Sequence, residues 1–185
     1  MRCTAVIPAY NESTRILGVL NILVQAGNVS EIIVVNDASS DDTANVARQF
    51  AKTAPKQVRV FDMPTNAGKG AAMHRGASET DAEVVLFLDA DLVGLSVEMV
   101  QNMTAGVIAG EADMTLGVFR GGRRAEGKPP AIKDLPAFLQ VGRTHSAQSG
   151  QPRHWHQPAC RITPRCGHAD SDRQSHPAKR ARGFF

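Results

Sequence analysis

The sequence predicts an α/β fold with three layers, in which a mostly parallel central sheet lies between helices. Strand patterns alternate with helix patterns along the first two-thirds of the chain, and short loops join them. Such alternation is typical of parallel βαβ units with right-handed crossovers. The polar motifs also follow strands directly, at the carboxyl ends where ligands bind in such sheets.

The chain opens with a strand, a helix and a second strand. Cys3 to Ile7 is a short apolar run that ends at Pro8. Glu12 to Ala26 carries apolar residues at helical spacing, and Gly27 ends the pattern. Glu31 to Val35 is rich in Ile and Val, which favour a strand.

The same alternation continues through the next six elements. A second helix runs from Ser39 or Ser40 to about Ala51, with two acidic residues in its first turn, where the helix dipole favours negative charge. The other elements are the strands Val58–Phe61, Val84–Leu88 and Met114–Phe119, and the helices Gly70–Glu79 and Ser96–Ala109.

Composition is that of a soluble globular domain, with 42% hydrophobic and 21% charged residues. No apolar run approaches the ~20 residues that cross a bilayer. Asn11, Glu12 and Arg15 interrupt any signal-peptide core, so the expected compartment is the cytoplasm, including the inner face of the membrane. Three cysteines do not indicate a disulfide framework.

The formal charge divides the chain. Residues 1–139 hold 13 Lys and Arg against 16 Asp and Glu, a net −3, whereas residues 140–185 hold 8 against 2, a net +6. The second stretch has no apolar period, so a basic, disordered tail is expected there. Its Cys and His spacing matches no standard zinc site, and its arginines indicate no specific nucleic-acid partner.

The strongest motif follows the fourth strand. Asp89 and Asp91 come directly after five apolar residues, Val84 to Leu88. A buried strand does not hold unpaired charges, so both carboxylates must emerge at its end, where they suit Mg²⁺ or Mn²⁺. The alternative is a strand-end turn that caps the next helix.

Three weaker motifs follow the other strands. The segment Pro8-Ala9-Tyr10-Asn11-Glu12 suits a planar ligand or, equally, a strand exit with a helix cap. Asp37 is the first acid after the second strand and is placed to accept from a base or a ribose. Gly68, Lys69 and Gly70 suit phosphates or a plain turn into a helix, and fit neither a P-loop nor a dinucleotide fingerprint.

Together the four motifs resemble the family 2 glycosyltransferases of the GT-A (Rossmann-like) fold, and most closely their dolichyl- and polyprenyl-phosphate branch. The resemblance covers about residues 2–125. The matching segments are Val6-Ile7-Pro8-Ala9-Tyr10-Asn11-Glu12, Ile33-Val34-Val35-Asn36-Asp37-Ala38-Ser39-Ser40-Asp41-Asp42-Thr43, Asn66-Ala67-Gly68-Lys69-Gly70 and Leu86-Phe87-Leu88-Asp89-Ala90-Asp91.

The resemblance implies an inverting transfer of a sugar from a nucleotide-sugar donor, with Asp89 and Asp91 as catalytic residues. Asp91 would bind the Mg²⁺ or Mn²⁺, and Asp89 would face the ribose or the sugar. Arg120 and Arg123 would meet an acceptor phosphate such as a polyprenyl phosphate; the alternative is a solvated basic loop. The donor nucleotide would contact Pro8, Ala9, Tyr10, Asn11, Glu12, Asp37, Gly68, Lys69 and Asp89.

The resemblance fails towards the carboxyl end of the chain. The expected domains are a nucleotide-sugar-binding unit at 1–125, a partial acceptor-side segment at 126–139 and the basic tail at 140–185. Because the usual acceptor-side motif is missing, that part is expected to be absent or read in a shifted frame. The main alternative is therefore a catalytically inactive remnant that still binds a nucleotide sugar. A dinucleotide-dependent oxidoreductase and a nucleic-acid binder are disfavoured by the missing motifs.

Overall fold

Residues 1–117 and 140–143 are described in the computed structural model, and one sheet organises them. The strands are β1 (Cys3–Ala9), β2 (Glu31–Asn36), β3 (Gln57–Asp62), β4 (Val84–Phe87), β5 (Met114–Leu116) and β6 (Gln140–Arg143). The helices are α1 (Ile16–Gln25), α2 (Thr43–Thr53), α3 (Lys69–Ser78) and α4 (Val97–Ala109).

The six-stranded sheet has the order β3-β2-β1-β4-β6-β5. The first four strands of this order are parallel, whereas β6 runs antiparallel to both of its neighbours. The carboxyl ends of β1 to β4 therefore meet at one edge of the sheet. The α/β prediction with a mostly parallel sheet is confirmed.

Helices cover both faces of the sheet and so make three layers. Ala5 and Ile7 of β1 pack in the core beneath α1, α2 and α4, whereas Val6, between them, packs in the smaller core beneath α3. This alternation is the two-residue period of a strand that is buried on both faces. Gly76 lets α3 approach β1 closely, because a Cβ at that position would lie 2.3 Å from a Val6 methyl.

The strand β6 is a difference from the sequence prediction. Residues 140–143 were expected to belong to the disordered tail, but they form the strand between β4 and β5. Val141 is fully buried there and pairs with Leu86 and Thr115. The sequence of this strand, Gln140-Val141-Gly142-Arg143, has a single large apolar residue and so no alternating pattern for sequence reasoning to find.

Helices α1 and α2 begin three or four residues later than the sequence predicted, at Ile16 and Thr43. Several of the predictions fall outside the described residues. They concern the end of the fifth strand, Arg120 and Arg123, the segment 126–139 and the tail after residue 143. Among the helices that the structure describes, none has the length and apolar character needed to span a bilayer.

Candidate functional site

The loops that follow β1, β2 and β4, together with the start of α3, enclose one cavity at the carboxyl edge of the sheet. The cavity has a volume of about 220 Å³. Its wall combines aromatic, acidic and basic side chains with small residues that leave room for a ligand. The lining residues are Pro8, Ala9, Tyr10, Glu12, Asp37, Lys69, Ala72, Asp89, Ala90 and Asp91.

The loops after β1 and β2 are held together by hydrogen bonds. The backbone N–H of Asn11 donates to Ser39 Oγ at 3.0 Å, and Asn11 Oδ1 accepts from the Ser40 backbone N–H at 2.9 Å. Asn11 and Ala38 both have a positive φ, of 57° and 55°. Residues other than glycine rarely adopt this conformation, and it tends to occur at functional sites.

Asp41 provides a second connection between the same two loops. Its carboxylate accepts from the Ser13 backbone N–H at 3.1 Å and from the Thr43 backbone N–H at 3.0 Å. Thr43 Oγ1 in turn accepts from the Glu12 backbone N–H at 2.8 Å. Burial pushes the pKa of Asp41 upward, but the hydrogen bonds from Thr43 and Ser13 outweigh it and hold that pKa well below its usual value.

Asp37 fixes the loop that precedes α3. This carboxylate is almost fully buried, and its two oxygens accept from the backbone N–H groups of Ala67 and Gly68, both at 2.8 Å. Gly68 has φ 86° and ψ 161°, a combination that is essentially restricted to glycine. Asp37 thus sets the position from which α3 and Lys69 begin.

Each carboxylate of the Asp89-Ala90-Asp91 motif has a cation beside it. Lys69 Nζ, at the start of α3, pairs with Asp89 Oδ1. Arg15 Nη1 lies 3.9 Å from Asp91 Oδ2, and Arg15 Nε lies 2.8 Å from Glu12 Oε2. Three acids (Glu12, Asp89 and Asp91) and two bases (Arg15 and Lys69) therefore form ion pairs in or beside the cavity, and they come from three separate segments.

Glu12 lies in the cavity wall, and its surroundings shift its pKa. Burial raises its pKa, the neighbouring Arg15 opposes that rise, and the negative charge of Asp91 adds to it. The contact with Arg15 is an ion pair, since Glu12 Oε2 accepts no well-directed hydrogen bond among the described residues. The negative charges of Glu12 and Asp91 thus repel each other.

The donor atoms suit a hard divalent cation that is shared with a ligand. The Asp91 side chain is 45% exposed, so its oxygens are open to an incoming ion, and carboxylate oxygens are the ligands that Mg²⁺ and Mn²⁺ prefer. The described residues contain no group of three or more His, Cys, Asp or Glu side chains arranged to hold a metal. Asp91 would therefore hold such an ion together with ligand and water oxygens.

Most of the predicted site residues line the same cavity. Asn11 and Gly68 are not part of its described wall, and they act instead in the loop contacts given above. Arg15, Ala72 and Ala90 were not predicted. Helical spacing could have indicated two of these residues. Ala72 lies three residues after Lys69, and Arg15 lies three residues after Glu12. Arg120 and Arg123 lie outside the described residues.

Comparisons with known proteins agree with this geometry. Residues 4–167 match the model of the family described as Glycosyl transferase family 2. A dolichyl-phosphate beta-glucosyltransferase of Trichomonas vaginalis is 42% identical over 97 residues, which are 48% of this chain and 28% of that protein. The chain spans less than a third of the length of that relative.

Two solved structures share the fold and contain manganese. A glucosyl-3-phosphoglycerate synthase from Mycobacterium tuberculosis, in complex with Mn²⁺, UDP and glucosyl-3-phosphoglycerate, has a TM-score of 0.57 and 28% identity over 65% of this chain and 45% of that one. A mannosyltransferase from Pyrobaculum calidifontis, in complex with GDP-Man and Mn²⁺, has a TM-score of 0.58 and 25% identity over 64% of this chain and 36% of that one. The fold expected from the family resemblance is confirmed.

Proposed function

Because the chain belongs to glycosyl transferase family 2, we propose that its described part is the donor side of a metal-dependent glycosyltransferase that takes a sugar from a nucleoside diphosphate. The observation that carries the proposal is the convergence of Asp37, Lys69 and Asp91 on one cavity. These residues come from three separate loops, so their meeting follows from the fold and not from their closeness in sequence.

The cavity has a part for each portion of such a donor. Tyr10 is 48% exposed at the wall and offers an aromatic face beside the small residues Pro8 and Ala9, which suits a planar base. Lys69 stands at the N-terminus of α3, where backbone N–H groups and the helix dipole favour a phosphate. Asp89 lies next to Lys69 and would face the ribose or the sugar.

Asp91 would hold the metal ion, Mg²⁺ or Mn²⁺, with the diphosphate as its other anionic partner. A bound divalent ion would neutralise the negative charge that develops on the diphosphate as it leaves. The Mn²⁺ in the two related complexes supports this proposal. Lys69 adds a positive charge to the wall of the same cavity and would contact the same diphosphate.

The acceptor determines what further chemistry the site needs. In-line attack at the anomeric carbon would invert its configuration. An acceptor hydroxyl needs a general base, whereas an acceptor phosphate is already anionic. The name of the Trichomonas relative indicates a dolichyl-phosphate acceptor for that enzyme. By analogy, we propose a polyprenyl phosphate as one acceptor class, with Arg120 and Arg123 as its contacts and peripheral association at the inner face of the membrane.

The alternative function is donor binding without transfer of the sugar. Radiolabelled UDP- and GDP-sugars incubated with polyprenyl phosphate and Mn²⁺ would distinguish the two. Transfer of label to the lipid supports the enzyme. Donor binding without transfer supports a binding-only chain.

Asp91→Asn tests the metal role directly. Calorimetry with a nucleotide sugar should show Mn²⁺-dependent affinity in the wild type and loss of that dependence in the variant, because a neutral amide is a poorer ligand for a hard cation. Asp113→Asn, at an exposed aspartate outside the cavity, is the matched control. Equal Mn²⁺ dependence in Asp91→Asn and the wild type would remove Asp91 from the metal site.

A further inference from the structure

Arg15 occupies a position that neither the motif nor the proposed donor site explains. It is the N-cap residue of α1, and its guanidinium bridges two acids of the cavity entrance. Nε lies 2.8 Å from Glu12 Oε2, and Nη1 lies 3.9 Å from Asp91 Oδ2, the oxygen proposed to bind a metal. A positive charge next to a metal ligand works against the metal, so its presence there needs a reason.

The backbone fixes where this positive charge stands. The Arg15 backbone N–H donates to the Glu12 carbonyl at 3.0 Å, which closes the turn into α1. The same turn is held to the loop after β2 through the Ser13 and Glu12 backbone N–H groups. Arg15 therefore remains near Asp91 even where solvent weakens the ion pair itself, as expected for a side chain that is 54% exposed.

Space beside Arg15 lets the guanidinium shift without leaving the site. Arg15 and Asp91 both line a second cavity, of about 350 Å³, between α1 and the loop after β4. Its other walls are mainly apolar, including Ile22, Leu92 and Leu95. The guanidinium thus has room to move away from Asp91 Oδ2 when an ion arrives, while its ion pair with Glu12 keeps it at the same turn.

We propose that Arg15 is a specificity-determining residue that makes the site bind the metal–diphosphate complex in preference to the bare metal ion. This inference rests on the proposed function. A bare Mn²⁺ ion carries two positive charges and is repelled by the guanidinium. A free nucleoside diphosphate carries about three negative charges near neutral pH, so its complex with Mn²⁺ has a net charge of about −1 and is attracted.

The consequence is an order of binding. With Arg15 in place, metal and nucleotide bind together, and Asp91 does not fill with metal in advance. Glu12 strengthens this effect by keeping the guanidinium at the entrance when an ion displaces it from Asp91. The charge of Lys69 differs in that it is paired with Asp89, and not with Asp91.

Arg15→Gln removes the charge and keeps a polar side chain, and its two effects should have opposite signs. A unit charge about 5 Å from Mn²⁺, in a half-exposed and salt-screened site, changes affinity by roughly 3- to 10-fold. We expect Mn²⁺ alone, titrated by the electron paramagnetic resonance of the free ion, to bind about 3- to 10-fold more tightly to the variant. UDP titrated calorimetrically at saturating Mn²⁺ should bind about 2- to 5-fold more weakly, and GDP is the second probe.

Two further variants control for structure and for general charge. Arg15→Lys keeps the charge and should leave both affinities close to those of the wild type. Arg2→Gln makes the same change of charge at the opposite edge of the sheet, where Arg2 precedes β1, and should change neither affinity. Arg15→Met is a second neutral variant, and thermal unfolding followed by circular dichroism verifies that each protein is folded.

The outcomes separate this inference from the proposed function. If the wild type binds neither UDP nor GDP in the presence of Mn²⁺, the proposed function fails. If the wild type binds them, but both Arg15→Gln affinities are unchanged or move in the same direction, the inference about Arg15 is overturned and the proposed function stands. Opposite shifts in Arg15→Gln and Arg15→Met, absent from Arg15→Lys and Arg2→Gln, support it.

Discussion

Asp37 offers the clearest link between local structure and the donor site. Its two carboxylate oxygens each accept a backbone N–H, from Ala67 and Gly68, and the side chain is only 3% exposed. In Asp37→Asn, the single remaining carbonyl oxygen can keep one of these bonds, and the new NH₂ group faces the other N–H donor. A buried hydrogen bond to a charged group contributes about 1.5–3 kcal/mol, and a buried donor without an acceptor adds a desolvation cost.

We therefore expect Asp37→Asn to lower the free energy of unfolding by about 2–3 kcal/mol, because the loop before α3 can relax and recover part of the loss. Urea unfolding followed by far-ultraviolet circular dichroism measures this change by linear extrapolation. The displaced loop should also move Lys69, so UDP affinity in the presence of Mn²⁺ should fall at least about tenfold, equivalent to 1.4 kcal/mol.

Asp113→Asn is the control for the amide substitution, because Asp113 is exposed and lies outside the cavity. It should leave both the unfolding free energy and the UDP affinity within error of the wild type. Surface substitutions change the free energy of unfolding by up to about 0.5 kcal/mol. An Asp37→Asn protein that unfolds within that range of the wild type and binds UDP equally well would show that Asp37 does not hold the loop before α3.

Gly68, Cys3 and Asp41 each provide a further test. Gly68→Ala should lower the free energy of unfolding in urea by about 1–3 kcal/mol, because φ 86° with ψ 161° is strained for any residue with a side chain. Gly27→Ala is the control and should lower it clearly less, because no atom crowds a Cβ there and φ is ordinary. Equal losses in the two variants would contradict this prediction. Burial raises the pKa of Cys3 to about 12, so its thiol should not react at pH 8 in the folded protein. Iodoacetamide at pH 8 should therefore label Cys3 in urea and not in the native protein, as measured by peptide mass spectrometry. Labelling of the native protein would contradict the burial of Cys3. Burial raises the pKa of Asp41, but hydrogen bonding from Thr43 and Ser13 outweighs burial and lowers that pKa in the folded state. The stabilisation that Asp41 gives the folded state is therefore complete above its unfolded-state pKa of about 3.9, and it is lost as the pH falls towards the folded-state pKa. Asp41→Asn should accordingly flatten the acid side of the stability profile, and an unchanged slope below about pH 4 would show that these hydrogen bonds do not form.

The sequence was sufficient for the elements whose signal is local. The run Val84 to Leu88 is apolar throughout because β4 is buried on both faces, and the two acids after it mark where the strand leaves the core. The last helix was predicted to start at Ser96, and Ser96 is its N-cap, with its Oγ accepting from the Met99 backbone N–H at 3.2 Å. Patterns of this kind depend on neighbours in the chain, so a single sequence contains them.

Features that depend on distant contacts were not visible in the sequence. Asn11 was predicted to contact a planar ligand or to cap α1, and Asp41 to lie in the first turn of α2. In the structure, Asn11 and Asp41 bond across two loops that are about 30 positions apart in sequence, and both helices begin later. Asp37 was read as a ligand contact, and its bonds to the backbone of the next loop appear only in the fold. The strand β6 was not predicted because its four residues have no apolar strand pattern of their own. The strand forms by pairing with β4, more than 50 residues earlier in the chain.

A crystal of the full chain soaked with Mn²⁺ and UDP tests the metal-dependent donor site most directly. If Asp91 holds the ion, an anomalous manganese peak should lie roughly 2.0–2.3 Å from an Asp91 carboxylate oxygen, with the diphosphate in contact with both the ion and Lys69. A manganese peak away from Asp91, or UDP bound outside the cavity that Asp37, Lys69 and Asp91 line, would contradict it.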